Sequence, residues 1–135
     1  LVDKALRDEG TSFHYISPSR YVSIRDDLLS SLCSVSGDDQ IRLTVGAVWT
    51  TDAPYRETVE SINAAKKLGL LAVEMETASL YAFSLASGNP IVSFAHVTNE
   101  MARLEDDFEK GEAAGAASSL SLISQCLRKI GPDFV

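Results

Sequence analysis

Leu70-Leu71-Ala72-Val73-Glu74-Met75-Glu76-Thr77-Ala78-Ser79-Leu80-Tyr81 is the stretch from which the fold is read. The apolar run Leu70–Val73 follows Gly69 and has the length of a short buried strand, while Met75, Ala78, Ala82, Leu85 and Ala86 recur at helical spacing. Two carboxylates, Glu74 and Glu76, therefore fall at a turn from strand into helix. In α/β proteins such turns gather ligand-binding groups, because the carboxyl ends of the strands open onto a crevice. The same residues also fit a solvated helix start with Met75 in the core, and the company they keep decides between the two readings.

Downstream, Gly88-Asn89-Pro90 resets the chain into Ile91–Val97, read as a second buried strand that ends in Thr98-Asn99-Glu100-Met101. The acidic segment Glu105–Gly111 then precedes a long Ala- and Ser-rich helix reaching Arg128 and Lys129. Its carboxylates suit a helix N-terminus and its bases the C-terminus, so a metal cluster is not expected there. Upstream, Val59, Ile62, Ala65 and Leu68 predict a helix stopped by Gly69. Before it, Ile41, Leu43, Val45, Ala47 and Trp49 alternate as in a half-buried strand, with Gly46 where backbone or ligand approaches closely. That strand delivers Thr50-Thr51-Asp52-Ala53-Pro54-Tyr55 into a loop, with Asp52 suited to cap a helix and Pro54 to its first turn.

A helix is expected over residues 21–35, and Phe13-His14-Tyr15-Ile16 reads as a strand before Ser17-Pro18-Ser19. Gly10, Thr11 and Ser12, with Arg7 just upstream, are either a plain turn or an anion-holding loop built from backbone N–H groups, hydroxyls and a guanidinium. Leu1–Ala5 reads as the interior of a helix or turn, so a processed product or a piece of a longer chain is expected. His14 and His96 read as structural histidines.

The chain has 135 residues, 45% of them hydrophobic, which fits one α/β domain over 1–135 able to bury about 68% of its unfolded surface. Twelve Lys and Arg against 19 Asp and Glu leave a net charge of -7, which argues against nucleic-acid and anionic-membrane partners while allowing a local anion site. No apolar run approaches the roughly 20 residues that span a bilayer. Cys33 and Cys126 match no metal spacing or redox pair and suggest buried thiols in a reducing compartment, so a cytoplasmic protein is expected.

Arg7 with Gly10-Thr11-Ser12, Thr50-Thr51-Asp52 with Tyr55 after a Gly-containing strand, Val73-Glu74-Met75-Glu76, and a strand ending in Thr98-Asn99 resemble, in this order along the chain, the ligand loops of the nucleoside phosphorylase family, the purine and uridine phosphorylase type. The resemblance covers nearly the whole chain but only the C-terminal half of that fold. It implies a mixed central sheet flanked by helices, apparently lacking the N-terminal part with its first strand and Gly-rich phosphate loop. It also implies an enzyme that cleaves a nucleoside with inorganic phosphate as co-substrate to give free base and ribose 1-phosphate, without metal or organic cofactor. A homo-oligomer is implied, with a missing N-terminal segment or a companion chain as a further partner.

By the same resemblance Glu76 holds the ribose 2′- and 3′-hydroxyls, Met75 packs on the sugar, Val73 and Glu74 line the base pocket with Tyr55 and Thr98, and Arg7, Thr11 and Ser12 hold phosphate. Cleavage builds oxocarbenium-like charge on the ribose, and hydrogen bonds to sugar hydroxyls that tighten in the transition state lower the barrier. Asn99 stands where purine phosphorylases carry an aspartate acid; an amide donates a hydrogen bond but transfers no proton at neutral pH. With Glu76 and Arg7 it completes the expected catalytic set. Asn99 points to the uridine side, yet Glu100 replaces the arginine expected next, and Pro54 replaces a base-stacking phenylalanine. The base is therefore unassigned. A nucleosidase using water and a non-catalytic nucleoside-binding or assembly subunit are the alternatives.

Overall fold

The computed structural model describes residues 1–33, 43–98 and 116–131. Its centre is a four-stranded sheet in the order β2-β1-β3-β4, formed by β1 (Val2–Asp8), β2 (Tyr21–Ser23), β3 (Gly46–Thr51) and β4 (Ala72–Glu74). β1, β3 and β4 run parallel, and β2 lies antiparallel to β1. Helices α1 (Asp26–Leu32), α2 (Val59–Lys67), α3 (Thr77–Ser87) and α4 (Ala116–Ile130) flank it. This is the mixed α/β sheet that the alternation of strands and helices implies.

Side chains of β3 divide the core between the two faces. Val48 joins Val2, Ala5 and Val22 against Leu28 and Leu32 of α1, Ala78 and Tyr81 of α3, and Leu122 and Cys126 of α4. Ala47 and Trp49 point the other way, onto Leu70, Val73 and Ala65 of α2. Parallel strands need such cover on both faces, and each wholly buried leucine contributes about 1.5–3 kcal/mol. Thr58 caps α2 by accepting the Ser61 N–H at 3.3 Å. The C-terminal ends of α2 and α3 fall at Gly69 (φ 72°) and Gly88 (φ 78°), the left-handed conformation that glycine adopts without a Cβ clash.

Several local expectations are corrected. Leu1–Ala5 is not helix or turn: Val2–Asp8 is a central strand, with Lys4 over the Tyr21 ring at 5.5 Å. Phe13–Ile16 is not a strand. Residues Thr11–His14 form a 3-10 turn in which the Ser12 carbonyl accepts from Tyr15 and Ile16, and the aromatic rings find partners elsewhere: Phe13 under the Arg7 guanidinium (4.1 Å) and Tyr15 edge-on to Phe83 (5.6 Å). The helix expected over 21–35 gives its first residues to β2 and starts only at Asp26. The strand expected from Ile41 to Trp49 instead runs Gly46–Thr51, drawn onward by the register of Thr50 and Thr51 with Arg7 and Asp8. At Gly46 the close approach comes from Leu71, whose Cδ1 would overlap an added Cβ.

Ile91–Val97 forms no ladder. A phenol replaces it: Tyr81 Oη donates to the Val2 carbonyl (2.6 Å) and accepts from Ser93 N–H (3.2 Å), beside a direct Val2 N–H to Ser93 carbonyl bond (3.0 Å). Asp52 does not cap a helix; Pro54–Arg56 is a 3-10 turn and Thr58 takes the capping role. Of the two free thiols only Cys126 is buried, whereas Cys33 is exposed. The acidic segment Glu105–Gly111 lies outside the described residues. Among the described residues no helix is long and apolar enough to cross a membrane.

Candidate active site

Three parallel strands end side by side, and their registers place Arg7 beside Thr50 and Thr50 beside Glu74 on one face of the sheet. Neighbouring strands lie about 4.8 Å apart, so the row from Arg7 to Glu74 spans about 10 Å at the backbone. The site candidates are gathered along this carboxyl edge and in the loops that leave it.

At the β4–α3 turn the two glutamates have different tasks. Glu74 Oε2 accepts the Glu76 and Thr77 N–H groups, both at 2.7 Å, and Glu74 Oε1 accepts from Thr50 Oγ1. Thr50 Oγ1 in turn accepts the Ala78 N–H at 3.1 Å. A helix leaves its first N–H groups without intrahelical partners, and here one carboxylate and one hydroxyl take three of them. The Glu74 carboxylate is thus occupied by the turn. Glu76 is exposed, and among the described residues its side chain accepts from the neighbouring Met75 N–H at 3.3 Å. Met75 is 47% exposed beside it, and Val73 packs into the core around Trp49.

The loop after β1 is built around Arg7, which is buried. Its Nε donates to Ser12 Oγ (2.8 Å), and its Nη1 donates to the Ser17 carbonyl (2.9 Å) and Ser19 Oγ (2.7 Å). Ser12 is wholly buried, and its N–H goes to Glu9 Oε2 at 2.9 Å. Thr11 is exposed at the loop surface. Gly10 N–H donates to Asp52 Oδ2 at 3.0 Å, which ties this loop to the one leaving β3.

Other expected members stand apart from this row. Tyr55 is fully exposed on its 3-10 turn, so its ring packs on nothing among the described residues. Thr98 is half-buried at the end of the 91–98 segment, and Asn99 lies outside the described residues. His14 and His96 are both exposed. A cavity of about 850 Å³ opens at the opposite end of the sheet, between Val2, Gly46, Leu71, Phe94 and Leu122, and neither glutamate nor Arg7 lines it. Its walls are mostly apolar, with Thr44, His96 and Ser119 among them. Among the described residues no three His, Cys, Asp or Glu side chains gather as for a metal ion.

Thr50 and Glu9 hold backbone and side-chain contacts that single-residue reading did not assign, and Asp52, expected to cap a helix, holds the Gly10 N–H instead. These pairings join residues far apart in the chain or depend on the fold of the turn, so no local pattern marks them.

Comparison with known proteins gives these loops a family. The phosphorylase superfamily profile matches residues 1–128. A guanosine phosphorylase of Halorubrum lacusprofundi is 34% identical over 85 residues, 62% of this chain and 35% of the relative. A DeoD-type purine nucleoside phosphorylase of Buchnera aphidicola is 32% identical over 62 residues, 45% of this chain and 26% of the relative. Among solved structures, a uridine phosphorylase of Vibrio fischeri superposes with a TM-score of 0.63 at 20% identity, covering 93% of this chain and 52% of that one. An AMP nucleosidase of Bacteroides thetaiotaomicron gives 0.62 at 20% identity, covering 95% and 53%. At that identity the superpositions establish a shared fold, of which this chain spans about half. Profile, relatives and fold agree, and the chain belongs to the phosphorylase superfamily.

Proposed function

We propose that this chain carries the ribose and phosphate contacts of an enzyme that cleaves nucleosides with phosphate, releasing free base and ribose 1-phosphate. The observation that carries the reading is the division between the two glutamates: Glu74 holds the turn, and Glu76 projects beside it with its carboxylate available to a ligand. A carboxylate accepts from two vicinal hydroxyls at once, which suits the ribose 2′ and 3′ positions. As the glycosidic bond lengthens, positive charge grows on the sugar and these hydrogen bonds strengthen. Arg7, Thr11 and Ser12, about 10 Å along the same edge by strand spacing, hold the phosphate that attacks C1′ from the far face. Asn99 hydrogen-bonds the departing base. No cofactor beyond phosphate enters this scheme, and assembly of several copies belongs to it.

Hydrolysis is the second reading. Ser12, Ser17 and Ser19 occupy much of the Arg7 guanidinium, which leaves less of it for an anion than a free arginine offers. Release of base from inosine and uridine with and without phosphate distinguishes the readings. Strict phosphate dependence, with ribose 1-phosphate as product, supports phosphorolysis. Equal release in its absence supports hydrolysis, and binding without turnover supports a non-catalytic subunit.

A further inference from the structure

Glu76 is held at its backbone rather than at its carboxylate. Its N–H goes to Glu74 Oε2 at 2.7 Å, and its carbonyl accepts from Leu80 N–H (3.1 Å) and Ser79 Oγ (2.7 Å). It occupies the N-cap position of α3, yet its side chain caps none of the helix N–H groups; Glu74 and Thr50 take the Thr77 and Ala78 N–H groups instead. With the residue bound on both sides, the direction of its Cα–Cβ bond is fixed, and only the side-chain torsions remain to be set.

The anchor of this arrangement lies one strand away. Thr50 is wholly buried in β3 and stands in register with Glu74 of β4. A hydroxyl has one proton and two lone pairs. Here the proton goes to Glu74 Oε1, and the oxygen accepts the Ala78 N–H at 3.1 Å. Glu74 is half-buried, and its carboxylate could rotate about its own torsions. Donation from Thr50 to one oxygen keeps the other aimed at the Glu76 and Thr77 N–H groups. The next residue, Thr51, is equally enclosed, but its hydroxyl accepts the Ala53 N–H at 3.2 Å, within its own loop.

We propose that Thr50 is a positioning residue for sugar recognition: by holding Glu74 it sets the direction in which Glu76 leaves the backbone. The proposal rests on the reading of Glu76 as the ribose contact, and it extends that contact to a buried side chain that touches no substrate. A carboxylate that accepts from two vicinal hydroxyls at once depends on its placement, and a displacement of about 1 Å can cost about a hundredfold in rate.

Equilibrium binding of uridine and inosine is compared with that of their 2′,3′-dideoxy forms, in wild type, Thr50→Val, Thr50→Ser and Thr51→Val. Thr50→Val keeps the shape and removes the hydroxyl; its preference for the ribonucleoside is expected to fall from at least about tenfold to below about threefold. The loss should lie in the ribonucleoside arm, with affinity for the dideoxy form unchanged, which a general loosening of the fold would not produce. Thr50→Ser restores the hydroxyl and should keep the preference, as should Thr51→Val.

Full preference retained in Thr50→Val, or an equal loss in Thr51→Val, would overturn the role of Thr50 while leaving that of Glu76 in place. Absence of any preference in the wild type would overturn the Glu76 reading, and this proposal with it. If Thr50→Val does not fold, Glu74→Gln decides by the same ratio from the half-buried side of the bond. With its amide oxygen on the helix N–H groups, its NH2 faces Thr50 Oγ1, which then has no acceptor for its own proton. A lowered ratio supports the proposal, and an unchanged one overturns it.

Discussion

The turn after β4 and the loop after β1 meet the sheet at the same edge and solve opposite problems. In the turn, Glu74 and Thr50 close a network with the first N–H groups of α3, so the one carboxylate left over, Glu76, faces solvent. In the loop, Arg7, Glu9 and Ser12 are all buried, yet an arginine nitrogen and a glutamate oxygen have no partner among the described residues. A closed network fixes a shape and presents a group at its margin. An open one keeps unpaired polar atoms inside.

Substitutions that exchange these roles give the sharpest checks. The largest effect is expected from Glu76→Ala, which should lower kcat/KM for nucleoside cleavage at least about a hundredfold while shifting unfolding free energy by less than about 0.5 kcal/mol. Steady-state rates and denaturant melts read the two halves of that statement. Glu74→Ala should do the reverse in stability, costing about 2 kcal/mol through three unpaired groups at the turn. An unchanged midpoint for Glu74→Ala would remove the distinction between the glutamates.

Tyr81 offers a third check, on what holds the 91–98 segment to β1. Tyr81→Phe leaves the Val2 carbonyl and Ser93 N–H without their shared hydroxyl and should cost about 1–2 kcal/mol in a thermal or denaturant melt. Burial pushes the phenol up to about 12 from its ordinary 10.0. The folded state therefore keeps this proton at pH values where the unfolded chain has lost it. The resulting stability is whole below a pH of about 10 and falls by about 2 kcal/mol as pH rises towards about 12. The difference in alkaline melts between wild type and Tyr81→Phe isolates that loss; parallel pH profiles would contradict it. The smallest effect belongs to Gly46→Ala. The added Cβ meets the outer end of Leu71, a side chain 57% exposed and able to turn aside, so the cost should stay under about 1 kcal/mol by chemical denaturation.

What was legible in the sequence follows the same division. Periodicity carried α2, β4 and α3, because each has a strong local signal: the Gly69 stop, a short apolar run, and apolar residues at helical spacing. It failed for Leu1–Ala5 and Phe13–Ile16. In the first, pairing on both sides overrode a composition suited to a helix; in the second, the Phe13 and Tyr15 rings stay partly exposed and settle against Arg7 and Phe83 rather than in a sheet. The carboxylates were visible as a pair, but their separate tasks depend on Thr50, 24 positions away from Glu74. A contact of that kind has no local signature. The unpaired atoms of Arg7 and Glu9 were hidden for the same reason, since burial of the loop arises from packing against α3 rather than from its own composition.

Recognition of ribose by Glu76 is the central claim, and its most direct test needs no turnover. Equilibrium binding of uridine and inosine is compared with that of their 2′,3′-dideoxy forms, in wild type and Glu76→Ala. The account predicts a preference of at least about tenfold for the ribonucleoside in the wild type, lost in Glu76→Ala with the unfolding midpoint unchanged. A preference that survives the substitution would contradict it.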